Sequence, residues 1–175
     1  VDGLGSQINK PDTASYNNYY IQDLSLPEWE HDLDKYDCIL LSDCLEHFSA
    51  PEIVLDQIRK SLKRNTPKII LTSPNIGFII SRFQLLIGEF NYSRRGILDF
   101  DHKRLFTFKS IKKLLTQSGY NIQKIYGIPA PFPLAFGLST GSKILVKINS
   151  FLIRIWRNLF AYQIGVIAYP KPTVS

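Results

Sequence analysis

Residues 36–47, YDCILLSDCLEH, decide how the rest of the chain is read. The run Cys38 to Leu41 is apolar without alternation, the pattern of a strand buried on both faces, and it turns polar at Ser42, Asp43, Glu46 and His47. Such a strand delivers charged groups to one edge of a sheet. In open α/β sheets ligands bind beyond the carboxyl ends of the strands, so these four residues are the first candidates for a site.

Downstream, Ser49 and Glu52 form an S-x-x-E box that predicts a helix start. Val54, Leu55, Ile58 and Leu62 supply its apolar stripe, and Arg59, Lys60, Lys63 and Arg64 complement the carboxyl end of its dipole. Lys68 to Thr72, KIILT, reads as a second buried strand, closed by Ser73, Pro74 and Asn75 at the same edge as Asp43. Strand, helix and strand in this order predict a right-handed crossover and a parallel sheet.

Two stretches interrupt the alternation, at about 77–104 and 127–161. The first holds an apolar helical piece, Phe78 to Ile87, and a polar loop, Asn91 to Asp101, followed by His102. Loops of that length in a compact domain usually cover or bind something. Between the insertions, Thr107 caps a helix with Phe108, Ile111, Leu114 and Leu115 inward and Gly119 as its stop, and Asn121 to Tyr126 alternates as a strand. The second insertion carries a helix from Ile144 to Phe160 with Leu145, Ile148, Leu152, Ile155, Trp156 and Leu159 on one side, ahead of a last strand, Tyr162 to Tyr169. Lys147, Arg154 and Arg157 lie elsewhere on it, so the stripe suits packing on a sheet or lying on a membrane surface.

Length and composition fit a single domain over residues 1–175: 45% apolar and 21% charged residues can build a sizeable core. Cys38 and Cys44 are too few for a disulfide framework, and a reduced, cytoplasmic protein is expected. The longest uncharged stretch, Ile125 to Ser142, contains Pro129, Pro131 and Pro133 and is not a spanning helix. The net charge of +6 is unevenly spread: residues 1–101 hold all 15 acids and 10 of the bases, and residues 102–175 hold 11 bases and no acid. The second part is a candidate surface for an anionic partner, or simply a solvated basic face.

The order of these features, with TSPN at 72–75 and DFDHKRLFT at 99–107, resembles the class I S-adenosylmethionine-dependent methyltransferases. The resembling branch includes quinone-pathway O-methyltransferases and bacterial small-molecule and sugar methyltransferases. The fold expected is therefore a doubly wound, Rossmann-like α/β sheet with helices on both faces. Val1 and Asp2 then read as the end of a strand, and the family's first strand and glycine-rich turn are expected upstream of Val1, which would leave the chain a fragment, inactive as it stands. As the resemblance implies, the donor is S-adenosylmethionine, with Asp2 at the ribose, Asp23 and Leu24 at the adenine, and Ser42 and Asp43 near the methionine end. Without the resemblance, Asp2 is an ordinary charged terminus and Asp23 an Asx turn.

The acceptor expected is a hydroxyl on a small molecule, a sugar or a lipid-linked glycan intermediate, with peripheral membrane contact as a further expectation. SPN lacks the aromatic of methyltransferases acting on DNA bases, which argues against nucleic acid as a partner. Methyl transfer needs aligned donor and acceptor, and a hydroxyl acceptor also needs a group to take its proton or lower its pKa. Glu46, His47 and His102 are the catalytic candidates. Asp43, Glu46, His47 and His102 also resemble the E-x-x-E-H pattern, with a distant histidine, that holds a divalent ion in small-RNA ribose methyltransferases and ubiquinone-pathway O-methyltransferases. Such a mixed set would suit Mg²⁺, Mn²⁺ or Fe²⁺, although Asp43 has a shorter arm than the family's glutamate. Three roles compete for Glu46 and His47: fixing the loop against the donor, base catalysis, and metal binding. The rival to an enzyme is a non-catalytic methyltransferase-like module that binds a membrane, RNA or protein through its basic half.

Overall fold

The computed structural model describes residues 2–5, 17–21, 24, 32–62 and 66–172. Strands β1 (Asp2–Gly5) and β2 (Asn18–Ile21) pair in parallel as a two-stranded sheet. A four-stranded sheet follows, in the order β3-β4-β6-β5, built from β3 (Cys38–Ser42), β4 (Lys68–Pro74), β5 (Tyr120–Ile128) and β6 (Gln163–Pro170). The parallel unit expected from the sequence is present: β3 and β4 run in register from Cys38 opposite Lys68 to Ser42 opposite Thr72, linked by helix α1 (Pro51–Ser61). The last strand returns antiparallel between β4 and β5, which sets Gln163 opposite Pro74 at the edge where β3 and β4 end.

One face of this sheet carries the core. Leu41, Ile69, Leu71, Ile164, Val166 and Ala168 pack against Val54, Leu55 and Ile58 of α1 and against Phe108, Ile111 and Leu115 of α3 (Phe108–Gln117). Of the β3 run only Leu41 is buried, and Leu40 is 65% exposed, whereas the uninterrupted apolar pattern predicts burial on both faces. β3 is an edge strand of its sheet, with β4 as its only neighbour there among the described residues, so its side chains have fewer strand neighbours than those of a central strand.

Two helix starts came out differently. Thr107 accepts from the Ser110 amide while Ser110 Oγ accepts from the Thr107 amide, a reciprocal cap, and Gly119 closes α3 at φ +82°, where a side chain would be strained. The box expected at Ser49 and Glu52 does not form. Ala50 is the N-cap of α1, without a side-chain bond, and Pro51 at the first helical position fixes the entry angle instead.

The insertions hold α2 (Ile79–Leu86), α4 (Phe132–Phe136) and α5 (Thr140–Phe160). Of the two uses that suit the apolar stripe of α5, packing on the sheet is not the one seen. The buried residues of α5 are Ser142 and Asn149, with Ile153 against the core, whereas Leu145, Ile148, Ile155 and Trp156 of the stripe are exposed. Gly127 of β5 sets this orientation, because a Cβ there would lie 2.6 Å from Ala161 Cβ and 2.8 Å from Ile153 Cγ2. Asn149 fixes the rotation: Oδ1 accepts from the Ala130 amide and Nδ2 donates to the Phe160 carbonyl, both at 2.9 Å.

Candidate functional site

At the carboxyl end of β3 the backbone turns sharply. Asp43 takes φ +44°, a left-handed conformation that aspartate tolerates better than most residues. Its amide donates to the Thr72 carbonyl and hydroxyl, and its carboxylate accepts two bonds from Gln163 Nε2 at 2.9 and 3.0 Å and one from Thr72 Oγ1 at 3.3 Å. The acid at the strand end is thereby strapped to β4 and β6. Ser42, exposed beside it, shares a 3.4 Å hydroxyl contact with Thr72.

The chain then enters a 3-10 turn, Leu45–His47, pinned by the fully buried Leu45. Glu46 is 1% exposed. Its carbonyl accepts from the Lys103 and Arg104 amides, which draws the loop before α3 over the turn. Its Oε2 accepts from Ser73 Oγ at 3.1 Å, whereas Oε1 is buried with no hydrogen-bond partner among the described residues. Burial, reinforced by the charge of Asp43, raises the Glu46 pKa against the lowering effects of its backbone bond, Ser73 and His102. Burial, with the Glu46 carboxylate beside it, pushes the neighbouring Cys44 thiol up to about 11, which favours the thiol over the thiolate at neutral pH.

The loop delivers His102 to His47, their ring centroids 5.0 Å apart and edge to face. His47 Nδ1 lies 3.2 Å from the Asp101 carbonyl and His102 Nδ1 lies 2.9 Å from the Ile97 carbonyl. A carbonyl can only accept, so each Nδ1 is the donor, and in the neutral tautomer that this selects the acceptor lone pair is on Nε2. One ligand atom from each of Glu46, His47 and His102 falls within 4.8 Å of the others. Asp43 stands outside this group, its carboxylate taken up by Gln163 and Thr72. A buried carboxylate and two imidazoles whose ligand atoms lie this close can accept protons or hold a divalent cation.

Of the remaining candidates, Leu24 is buried, the backbone of Asp2 lies in β1, and Asp23 lies outside the described residues. Ser73, Thr72, Gln163 and Tyr162 were not foreseen as site groups. Burial, and after it the charge of Asp43, raises the phenol pKa of Tyr162, and a Cβ on Gly96 would sit 3.6 Å from its hydroxyl. The placement of β6 between β4 and β5 brings both Tyr162 and Gln163 to this edge, and no local sequence signal announces that pairing. Asn75 of SPN is a strut: its amide nitrogen donates to the Ala161 carbonyl at 2.8 Å and its oxygen accepts from the Gly77 amide. A cavity of about 430 Å³ lined by Glu52, Arg104, Phe106 and Lys113 contains none of the clustered side chains.

The family model described as "Methyltransferase domain" matches residues 2–125. No curated protein matches the sequence. Among solved structures, a SAM-dependent methyltransferase of Archaeoglobus fulgidus is similar in fold, with TM-score 0.56 and 20% identity over 96% of this chain and 75% of that one. The YcgJ protein of Bacillus subtilis gives 0.55 and 14% over 98% and 82%. Phosphoethanolamine N-methyltransferase 2 of Haemonchus contortus, solved with phosphomonomethylethanolamine and S-adenosylhomocysteine, gives 0.53 and 14% over 99% of this chain and 44% of that one.

Proposed function

The chain belongs to the methyltransferase-domain family, as a class I S-adenosylmethionine-dependent enzyme, and from that premise we propose that it methylates a hydroxyl whose proton passes to the Glu46–His47–His102 cluster. The observation that carries this reading is the pair of imidazoles, each with Nδ1 against a backbone carbonyl, within reach of the buried carboxylate of Glu46. His47, the more exposed ring, takes the acceptor proton as the new C–O bond forms and S-adenosylhomocysteine leaves. Glu46 offsets the positive charge that results. In this reading Ser42 and Asp43 meet the methionine end of the donor, Asp2 its ribose, and Asp23 with Leu24 its adenine. The acid-free half of the chain favours an acceptor with negative charge, such as a phosphorylated sugar or a lipid-linked glycan intermediate.

A second reading draws on the same three residues. Glu46, His47 and His102 each offer a ligand atom within 4.8 Å of the others, a set that would suit a divalent cation such as Mg²⁺ or Mn²⁺, which when bound would lower the pKa of an acceptor hydroxyl. Under either reading His47→Gln in the full-length gene product should slow transfer about 100-fold or more while calorimetry shows S-adenosylhomocysteine binding unchanged. Undiminished transfer by that variant would refute both. Chelation separates them: activity that persists in EDTA assigns proton removal to His47, and activity restored by Mn²⁺, with a matching change in the Mn²⁺ EPR signal, assigns the cation.

A further inference from the structure

Residues beyond 125, where the family match ends, contribute α4 and α5, and these leave large apolar side chains facing outward. On α5, Ile148 is 51%, Phe151 61% and Ile155 67% exposed. At 100° per residue, Ile144, Ile148, Phe151 and Ile155 fall within a sector of about 60°. Lys143, Lys147 and Arg154, all exposed, fall within about 40° of one another, roughly 90° around the helix from that stripe. The buried positions, Ser142, Asn149 and Ile153, occupy the remaining side. Around its axis the helix therefore shows a packed face, a line of cations and an apolar stripe. Exposed apolar side chains also stand on α2, at Ile80, Phe83 and Leu86, and at Leu134 of α4 and Leu138 just before α5.

We propose that this surface is a membrane-docking face, in which the stripe of α5 enters the headgroup region of a bilayer and Lys143, Lys147 and Arg154 engage anionic lipid. Charge complementarity selects the occupant. A second copy of the chain would bring two such cationic lines together in a half with no acid to neutralise them. A nucleic acid would meet the cations and leave the apolar stripe in water. A bilayer bearing anionic lipid satisfies both features of the helix at once. The helix lies on the surface and does not span it, since no helix among the described residues is long and apolar enough to cross a membrane. Arg157 takes no part, because its guanidinium donates to the Ile125 carbonyl and stacks over the Phe108 ring.

The face is tied to the sheet edge that bears the candidate site. Asn75 Nδ2 donates to the carbonyls of Asn158 and Ala161 at the end of α5, and Gly77, just ahead of α2, approaches the same Asn158 carbonyl. A docked chain would thus present that edge close to the lipid surface, where a lipid-linked acceptor resides; this last step alone rests on the methyltransferase reading.

The test is flotation of the full-length protein with vesicles of phosphatidylcholine and of phosphatidylcholine containing roughly 30 mol % phosphatidylglycerol. Binding to the anionic vesicles should exceed binding to the neutral ones about tenfold and weaken in high salt. It should be lost in Phe151→Ser/Ile155→Ser and in Lys143→Glu/Lys147→Glu/Arg154→Glu, each with unchanged circular dichroism and S-adenosylhomocysteine affinity. Absence of vesicle binding overturns the proposal. So does a dimer in size-exclusion chromatography that the Phe151→Ser/Ile155→Ser variant dissolves, since the stripe would then be a contact between copies. Donor binding without vesicle binding would leave the methyltransferase reading intact and remove this one.

Discussion

Helices α1 and α5 carry the same kind of sequence pattern and use it in opposite ways. In α1 the apolar stripe, Val54, Leu55 and Ile58, is the buried face, and the charges of Asp56, Arg59 and Lys60 lie along its more open side. In α5 the apolar stripe is the exposed face, and the helix is seated by Asn149, Ser142 and Ile153 over a glycine in β5. Periodicity states which residues share a face. What that face meets depends on the surface opposite, and in α5 the opposite surface selects small and polar groups.

The sharpest way to break this contrast is to truncate one apolar residue from each stripe. Leu55→Ala should cost about 2–5 kcal/mol, because Leu55 is fully buried and its truncation removes packed atoms from the core. Phe151→Ala removes a larger side chain and should change stability by less than about 0.5 kcal/mol. Urea unfolding of both variants decides it. Equal losses would mean that α5 buries its stripe after all.

A second substitution sharpens the α5 side. Asn149→Leu makes the helix more apolar, which by pattern alone should help. It should instead cost about 1–3 kcal/mol, since the Ala130 amide and the Phe160 carbonyl would lose their partners. Thermal unfolding of this variant beside Asn149→Asp, which keeps the acceptor for Ala130, separates the two bonds.

The same contrast marks what was legible in the sequence. The β3–α1–β4 unit could be read because its signals are local: a stripe at helical spacing, a turn, and two short apolar runs. At the candidate site, Glu46, His47 and His102 converge because one turn and one loop bring them together. The strap on Asp43 was not legible. Gln163 lies 120 residues away in sequence, and its arrival depends on where β6 inserts. The rotation of α5 was hidden for a similar reason, since Gly127, which permits the close approach, belongs to another element.

Caps provide a third comparison, smaller in effect. Thr107→Ala should destabilise by about 1 kcal/mol, the usual cost of losing an N-cap hydroxyl. Ser49→Ala should be nearly silent, because Ser49 makes no cap bond and α1 is started by Pro51. Chemical denaturation of the pair measures whether α1 depends on its termini or on its packed face.

The smallest effect concerns the outer side of α1. Asp56 accepts from Arg59 Nη2 at 3.0 Å and from Lys60 Nζ at 2.6 Å. The Lys60 bond leads the effects that hold its carboxyl below the ordinary range, against an opposing contribution from burial and with further help from Arg59. A carboxyl whose pKa is lowered by folding adds stability above its unfolded value of about 3.9 and loses it as pH falls through the lower folded value. The pairs are solvent-screened, so the gain at pH 7 should be only about 0.3–0.5 kcal/mol. The stability difference between the wild-type chain and Asp56→Asn should therefore shrink towards zero in acid and in high salt. A loss approaching that of Leu55→Ala would mean that charge on the open side holds α1 in place as firmly as its buried stripe does.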